Sequence, residues 1–423
     1  MGPGTAEPRS RRPCSTPKRC SGETGEILRL DGTRTPHDYG FVAIRPLRIA
    51  HVCGYYSAGL GYQENKLPPA QAKLGHNVHI VTSDRNIPHP NYDKVYGLRL
   101  GPRLIGPGVS KDGPVTIHRL PVLFEAQRRQ NILLKGLARY VRKLSPDIVH
   151  LHGVTPLTTL QVLTSGLPQA SAVVVDHHLC RFNMEPVSAA KRLYYGTFRH
   201  LILPPLAKRV SAWLPINKDA AGVLSEWLGI SGQKVRINRL GADFGAFRRD
   251  SEAGSQWKAQ HGIPAASPVC IHEGKLHPRK EVGVLIEAFA EAASPDARLL
   301  IVGDGEEGFK DALRTRTFDL GIDERVLFFP PVPHSELAAM FNAADCGIWP
   351  GDAAVTLIEA MAAGLPVILS DDPGRDYVAE CTDVAIVRRG NAGDIARILP
   401  DFLNVDPTAE TRRTRISDFA RRS

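Results

Sequence analysis

Short apolar segments alternate with helical patterns along almost the whole chain after residue 47. A strand that is apolar along its length is buried on both faces, and helices between such strands make them parallel. The chain therefore predicts parallel α/β sheets covered by helices on both sides. The predicted strands form a first series, 47–54, 77–83, 115–122, 147–153, 171–178 and 209–216, and a second series, 235–242, 269–275, 297–305, 325–332, 346–350, 365–371 and 384–390.

The length of 423 residues is too great for one ordinary core. Two strand series in such a chain predict two Rossmann-like domains, with their boundary near residues 217–245. Ligands bind at the carboxyl ends of the strands in such sheets, so two domains can face one cleft. The predicted division is an extension at 1–45, a first domain at 46–235, a second domain at 236–395 and a basic tail or partial crossing helix at 396–423.

The net charge of +9 is concentrated at the two ends of the chain. Residues 1–50 carry nine Lys or Arg against five Asp or Glu (+4), and residues 408–423 carry five Arg against two acids (+3). The body between them is nearly neutral and has no nucleic-acid-binding motif, so nucleic acid is not an expected partner. Residues 1–45 are expected to be a disordered extension or an over-long start, and no apolar core of a signal peptide is present.

The seven cysteines are scattered and have no CxxC spacing, which argues against a disulfide framework and against a structural zinc site. Reduced cysteines fit the cytoplasm. No segment approaches the roughly 18 apolar residues that a membrane span requires. A cytoplasmic protein without a membrane span is therefore expected.

One carboxylate stands inside an apolar run near the end of the second series. The run GDAAVTLIEAMAAGLPVI covers residues 351–368 and contains Glu359. Burying an unpaired carboxylate is costly, so such a residue usually has a partner or faces a cleft. Asp352 as N-cap and Gly364 as the stop predict a helix over 353–363, whose first N–H groups could bind an anion. The plainer alternative is that Glu359 faces solvent.

Glycines and lysines follow two other predicted strand ends. Gly59 and Gly61 come after the first strand, where backbone N–H groups could approach a phosphate, although such a turn often has no ligand. Lys275 and Lys280 flank a strand end of the second series. They could converge on one anion or could be ordinary solvated lysines.

Taken together, these segments resemble the retaining, nucleotide-sugar-dependent glycosyltransferases of family 4. The resemblance covers about residues 47–395 and rests on the order of LGYQENKLPPAQAKLGHNVHIVTSDR, INRLGADFGAF, EGKLHPRKEVGVLIEAFAEA, LLIVGDGEE and IEAMAAGLPVILSD. It implies a GT-B fold, an α/β architecture with two Rossmann-like domains facing across a cleft. Residues 46–235 would then bind the acceptor and residues 236–395 the nucleotide sugar.

The same resemblance implies roles for single residues. Glu359 corresponds to the glutamate that accepts hydrogen bonds from the ribose of the nucleotide. Lys280 matches the phosphate-binding lysine, and Lys275 stands where the family usually has arginine. His177, or alternatively His178, resembles the histidine that lies near the transferred sugar. The diphosphate would also meet backbone N–H groups of Gly59 or Gly61 and of Ala353, Ala354 and Val355.

The sequence departs from the family pattern in several places. The family has a second glutamate eight residues before Glu359, and this chain has Gly351 there. Asp352 is either a substitute with a catalytic role or only the N-cap of the helix. Glu281 replaces the glycine that usually follows the phosphate lysine, and no Trp-containing crossing helix is recognised after residue 395.

No metal ion and no cofactor are expected. Lysines and a helix N-terminus can stabilise the negative charge that develops on a leaving nucleoside diphosphate. His150 and His152 share one face of a predicted strand, but two such histidines are more often structural than metal ligands. The expected partners are a nucleotide sugar and a glycan or lipid-linked acceptor.

Two segments of the first domain, 126–144 and 189–210, mix basic and apolar residues. The first is predicted to be one amphipathic helix. We favour packing of its apolar face on the sheet. The alternative is peripheral docking on anionic lipid at the inner face of the membrane.

The sequence thus predicts a retaining, metal-independent glycosyltransferase, for which a role in cell-surface polysaccharide synthesis is expected. The alternative is a catalytically impaired relative that acts as a nucleotide-binding or scaffold subunit, because of Gly351 and Lys275. An epimerase or phosphorylase on a similar scaffold fits less well, since no pyridoxal-phosphate lysine context is found. The base, the sugar, the acceptor and the linkage depend on loop shapes that the sequence does not fix.

Overall fold

The computed structural model describes Met1 and residues 45–89, 91–127, 131–167, 170–184, 187–352, 356–375, 378–404 and 409–422. The predicted extension at 1–45 therefore lies outside the described residues, apart from Met1 and Arg45. Within Pro46–Ser423 the chain forms one compact unit that holds two sheets of mostly parallel strands. This architecture confirms the prediction of two Rossmann-like domains.

The first half of the chain supplies one large sheet and one hairpin. Its strands are β1 (Arg48–Val52), β2 (Asn77–Ser83), β3 (Gly108–Asp112), β4 (Val115–Leu120), β5 (Val122–Ala126), β6 (Asn131–Leu134), β7 (Ile148–Leu151), β8 (Ala172–His177) and β9 (Ala212–Pro215). The sheet order is β3-β4-β2-β1-β7-β8-β9, and β5 pairs with β6. Within the sheet, only the β3–β4 pair is antiparallel.

The second half supplies a fully parallel sheet. Its strands are β10 (Val269–Glu273), β11 (Arg298–Val302), β12 (Val326–Phe329), β13 (Cys346–Trp349), β14 (Val367–Ser370) and β15 (Val384–Val387), in the order β12-β11-β10-β13-β14-β15. Every residue of β13 and β14 is buried, because helices cover both faces of the sheet.

Helices connect the strands and cover the sheets. They are α1 (Gln63–Lys73), α2 (Leu98–Leu100), α3 (Leu137–Leu144), α4 (Leu157–Thr164), α5 (Arg181–Met184), α6 (Ala189–Thr197), α7 (Leu203–Ala207), α8 (Lys218–Leu228), α9 (Ser251–Gln260), α10 (Val282–Ala292), α11 (Glu307–Asp319), α12 (His334–Ala343), α13 (Thr356–Ala362), α14 (Ala392–Leu403) and α15 (Ala409–Arg422).

The strand order places one switch point in each sheet. In the first sheet β1 lies between β2 and β7, and in the second sheet β10 lies between β11 and β13. The chain runs from β1 toward β2 but from β7 toward β8 on the other side, and likewise from β10 toward β11 but from β13 toward β14. In open α/β sheets such a reversal opens a crevice at the carboxyl ends of the strands, where ligands bind. The loop that contains Gly59 and Gly61, called the glycine loop below, follows β1. Lys275 and Lys280 follow β10, and Gly351 follows β13. The predicted glycines and lysines therefore follow the central strands of the two sheets.

The predicted amphipathic helix at 126–144 is wrong over its first half. In that part Asn131–Leu134 forms β6, which pairs antiparallel with β5, and α3 begins only at Leu137. Gly136 has φ 71°, a left-handed conformation that favours glycine and interrupts a helix. Ile132 and Val141 are buried in the core of the first domain. The apolar residues of this segment thus pack inside the protein, as the favoured alternative expected.

The predicted strand at 235–242 is also wrong. Val235 forms one isolated bridge with Trp213 of β9, and the N–H groups of Arg236 and Asn238 donate to the carbonyls of Trp213 and Pro215. The stretch therefore lies beside the first sheet and is not a strand of the second. This stretch leads out of the first sheet, and Phe247 is already buried in the core of the second domain.

The basic C-terminal segment folds onto the second domain. Ile416 and Ala420 of α15 are buried in the same apolar cluster as the residues of α13. The guanidinium of Arg413 donates to the carbonyl of Ala344, and Ser417 Oγ donates to the carbonyl of Ala362 at 2.8 Å. Residues predicted as a tail or a partial crossing helix thus complete the second core. Across the parts of the chain that the structure describes, no helix has both the length and the apolar character that crossing a bilayer requires.

Candidate functional site

The glycine loop of the first domain lies against the second domain. Lys66 Nζ, on α1 just beyond this loop, is 2.5 Å from Nδ1 of His334, the first residue of α12. A side chain at Gly61 would place its Cβ 3.7 Å from the other ring nitrogen of His334. Gly59 has φ 78°, so this turn uses a conformation that favours glycine. The carboxyl ends of the two sheets therefore face one another across a cleft.

Glu359 is buried in α13, with only 4% of its surface exposed. The alternative that it faces solvent is wrong. Burial raises the pKa of Glu359 to about 7, with Lys66 lowering it and the carboxylates of Glu273 and Asp243 raising it further. A carboxylate held near its titration point beside a lysine of the opposite domain is suited to bind hydroxyl groups of a ligand in the cleft.

Lys280 lies one turn before α10 and reaches into the same region. Its Nζ donates to the main-chain carbonyl of Asp352 at 2.6 Å, and burial lowers the pKa of this lysine. A cation that has already lost much of its water interacts strongly with an anion. Lys275 is exposed at the end of β10.

The carboxylate of Asp352 forms ion pairs with two arginines. Its carboxylate accepts from Arg279 Nη2 at 2.6 Å and from Arg389 Nη1 at 2.9 Å. Both oxygens are thus engaged in ion pairs. The N-cap interpretation of Asp352 concerns the N–H groups of residues 353–355, which lie outside the described residues, so it stays a prediction. Ala353, Ala354 and Val355, which were predicted to contribute N–H groups, lie outside the described residues.

Gly351 has no room for the side chain that the family carries there. A Cβ at this position would lie 2.2 Å from the carbonyl oxygen of Arg279 and 2.6 Å from the carbonyl carbon of Lys280. The main chain of Arg279 and Lys280 occupies the space that a glutamate side chain would need. The path of the local backbone therefore excludes a glutamate side chain at this position.

We expect Gly351→Ala to lower the free energy of unfolding by about 1–3 kcal/mol, because the added methyl group overlaps rigid main chain. Gly351→Glu should destabilise more and should not increase turnover. Urea unfolding measures the effect, and Gly308→Ala, where a Cβ meets nothing within 4 Å, is the matched control. An unchanged unfolding midpoint for Gly351→Ala would show that the turn is not as closely packed as described.

The backbone conformation of Glu281 explains why the family usually has glycine at this position, after the lysine that corresponds to Lys280. Its φ of 55° and ψ of 35° lie in the left-handed region, which costs a non-glycine residue about 1 kcal/mol. Arg389 Nε donates to Glu281 Oε1 at 2.8 Å and also pairs with Asp352. In this chain an ion-pair network supports a conformation that glycine adopts elsewhere without strain.

The two candidate histidines have different surroundings. His177 is buried, its Nε2 has no hydrogen-bond partner among the described residues, and burial lowers its pKa to about 4. His178 has 40% of its side chain exposed and lies 2.6 Å from the amide oxygen of Gln63, the first residue of α1. His178 therefore lies beside the glycine loop, whereas His177 points into the protein.

Glu273 is a candidate site residue that the sequence reasoning missed. It ends β10, burial raises its pKa, and its Oε2 has no partner in the described part of the chain. Lys280 and Glu359 are both among its charged neighbours. The signal that could have revealed it is a glutamate at the end of an otherwise apolar strand, followed directly by a glycine.

Comparisons with known proteins agree with this geometry. The family model described as "Glycosyltransferase Family 4" matches residues 67–244, and the model "Glycosyl transferases group 1" matches residues 255–422. The D-inositol 3-phosphate glycosyltransferase of Nocardia farcinica is 31% identical over 184 residues, which is 41% of this chain and 40% of the relative. The corresponding protein of Mycolicibacterium smegmatis is 29% identical over 187 residues, 42% of each chain. The alignments thus span about two fifths of the length of these curated relatives.

Solved structures show the same fold. Sucrose-phosphate synthase from Thermosynechococcus elongatus has a TM-score of 0.64 at 19% identity, covering 89% of this chain and 94% of that one. Anabaena HepE in complex with UDP and glucose has a TM-score of 0.62 at 16% identity, covering 89% and 95%. The two family models together account for both domains. The chain belongs to glycosyltransferase family 4 and has the GT-B fold.

Proposed function

We propose that the protein is a cytoplasmic enzyme that transfers a sugar, with retention of configuration, from a nucleoside-diphosphate sugar to a glycan or glycolipid acceptor. One observation carries the proposal: Glu359 and Lys280, both partly withdrawn from water, are each charged neighbours of Glu273 at the end of β10, and Lys66 of the first domain lies near Glu359. A ligand with a diol at one end and a diphosphate at the other matches this pair. The structure of HepE with UDP supports the same ligand class.

The nucleotide-sugar donor would be bound by the carboxylate of Glu359 and by the lysines. The ribose hydroxyls would donate to Glu359, and the diphosphate oxygens would accept from Lys280 and Lys275. Charge develops on the diphosphate as the bond from C1 of the sugar to its oxygen breaks, and a desolvated lysine stabilises that charge most strongly. The acceptor hydroxyl forms the new bond to C1 on the same face, and its proton passes to the leaving oxygen. The lysines supply the positive charge, so the proposal needs no metal at the diphosphate.

Two residues would act near the transferred sugar. We place His178 there instead of His177, because His178 is exposed and anchored beside the glycine loop. Asp352 acts as a positioning residue, since its carbonyl accepts from Lys280 and its carboxylate holds Arg279 and Arg389.

A scaffold role remains the second candidate, and the closed space at Gly351 is the observation that favours it. A panel of nucleotide sugars, assayed for released diphosphate with and without acceptor glycans, separates the two. Turnover of one donor supports the enzyme. Binding of a nucleoside diphosphate without turnover of any donor supports the scaffold, and absence of both contradicts the site assignment.

The second basic and apolar segment is a candidate contact with the membrane. Leu193 and Leu201 of the α6–α7 segment are each 72% exposed. Arg192, Arg199 and Lys208 are exposed on the same segment. Apolar side chains flanked by cations fit the interface of an anionic bilayer, where a lipid-linked acceptor would reside. We propose that this segment docks on anionic lipid.

Sedimentation with vesicles tests this docking. We expect binding to vesicles that contain phosphatidylserine and none to vesicles of phosphatidylcholine alone. The double variant Leu193→Ser and Leu201→Ser should bind at least about tenfold more weakly, because two exposed leucines no longer enter the lipid. Leu104→Ser, which changes another exposed leucine of the first domain, is the control. Equal binding of all three proteins would place the contact elsewhere.

A further inference from the structure

A cluster of histidines surrounds one carboxylate at the switch point of the first sheet. His51 on β1 is in register with His150 on β7, and His150 is in register with Val174 on β8. Side chains two residues apart on a strand share a face. Asp176, two residues beyond Val174, therefore joins the face that His51 and His150 occupy. His152, just beyond β7, completes the cluster on the same side.

Three donor atoms of this cluster converge. Asp176 Oδ2 is 2.7 Å from His152 Nδ1 and 3.2 Å from His150 Nε2. The three atoms all lie within 4.8 Å of one another. The other carboxylate oxygen of Asp176 accepts from the N–H of Gly153 at 2.7 Å, which fixes the carboxylate. Two imidazole nitrogens and one carboxylate oxygen form a donor set that zinc and related divalent ions prefer.

A second layer of hydrogen bonds orients His152. Its Nε2 is 3.0 Å from His51 Nδ1, and His51 Nε2 is 2.7 Å from the amide oxygen of Gln71. The amide oxygen can only accept, so His51 carries its proton on Nε2 and leaves Nδ1 as an acceptor for the N–H of His152. The Nδ1 of His152 is thus directed at Asp176. A ligand histidine that donates its other N–H to a fixed partner is the usual outer arrangement of a metal site.

The cluster is buried but can be reached. His150 is 3% exposed and Asp176 is 1% exposed. His152 lines a cavity of about 170 Å³, which is also bordered by Cys53, Tyr62 and Glu64. An ion held by the three donors would thus have an open side toward this cavity, where water or an oxygen of a ligand could complete the coordination.

We propose that His150, His152 and Asp176 bind one divalent transition-metal ion of the zinc class, with its open position toward the cavity. The ion takes the place of the hydrogen-bonding protons between the three donors. Metal–ligand distances of about 2.0–2.2 Å require these atoms to separate slightly, which small rotations of the two histidines provide. The site uses none of the residues proposed to bind the diphosphate, and it borders the proposed transfer site, because Asp176 Oδ2 lies 3.6 Å from His178 Nε2.

Titration of the untagged, chelator-treated protein with Zn²⁺ tests the site. We expect one equivalent to bind, Co²⁺ to give the visible absorption of a four- or five-coordinate site, and Zn²⁺ to raise the unfolding temperature. His152→Ala and Asp176→Asn should each lose this binding. Gln71→Ala should weaken it about 10–100-fold, because the orientation of His152 is lost.

The matched control is His79→Ala, which disrupts another histidine pair on the same sheet, 2.9 Å from His118. This variant should bind Zn²⁺ like the unchanged protein. Circular dichroism checks that the variants fold. If His152→Ala or Asp176→Asn does not fold, the Zn²⁺ affinity of Gln71→Ala tests the proposal instead. Binding of less than half an equivalent by the unchanged protein overturns the proposal. Binding that persists in both ligand variants, or that Gln71→Ala leaves unchanged, also overturns it.

Discussion

Lys280→Ala is expected to lower the turnover number for the accepted nucleotide sugar by about 10²–10³-fold, because a preorganised charge at the leaving diphosphate is lost. Burial lowers the pKa of Lys280, and this desolvation makes its charge effective at the moment that the bond breaks. Steady-state release of diphosphate measures the effect. The Michaelis constant should change less than the turnover number, since the charge develops in the transition state.

The control for this variant is Lys310→Ala, which removes a lysine of α11 that pairs with Asp304 and Glu307. It should keep full activity. Because Lys280 also holds the carbonyl of Asp352, the unfolding midpoint of each variant must be compared with that of the unchanged protein. Turnover of Lys280→Ala within twofold of the unchanged enzyme, in a folded protein, would remove Lys280 from the donor site.

Glu359→Gln is expected to weaken nucleoside-diphosphate binding by at least about tenfold and to abolish its dependence on pH near neutrality. The pKa of Glu359 is raised to about 7, and the ionised form is the better acceptor for ribose hydroxyls. Binding to the unchanged protein should therefore strengthen as the pH rises toward 7 and level off above it. Calorimetry at several pH values measures this, with Glu291→Gln, an exposed glutamate of α10, as the control.

The same substitution should stabilise the unliganded protein. The pKa of Glu359 is higher in the folded state than the ordinary value of 4.5, so the folded state binds the proton more tightly. Stability is then lost as the pH rises from about 4.5 to about 7, by at most about 3 kcal/mol. Glu359→Gln should unfold at higher urea than the unchanged protein at pH 8 and show little difference at pH 4.5. A loss of stability at pH 8 would contradict the description of Glu359 as a buried and largely unpaired carboxylate.

The sequence predicts the architecture because its strongest signals are local. Apolar strands alternating with helices require parallel sheets, and the order of the motifs places them at the carboxyl ends of those strands. Glu359 and Lys280 stand out for the same reason, as single charges beside apolar segments. The pairing of β5 with β6 was missed because Ile132 and Leu133 also fit a helical period with Leu137 and Val141, and the interruption is marked by Gly136.

The rest depends on contacts between distant parts of the chain. Asp352 is paired with Arg389, 37 residues away, so a local pattern suggests only a helix cap. His51 and His152 are separated by 101 residues and meet because β1 and β7 are neighbours in the sheet. The absence of space at Gly351 follows from the path of the Arg279–Lys280 main chain, which no single residue type reveals.

Calorimetric titration with UDP, GDP and ADP is the most direct test of the proposed donor site. We predict that one of these nucleotides binds the unchanged protein with a stoichiometry of one, and that Glu359→Gln and Lys280→Ala both bind it at least about tenfold more weakly. If none of the three nucleotides binds, or if both variants bind as tightly as the unchanged protein, the cleft between the two sheets is not the nucleotide site that we propose.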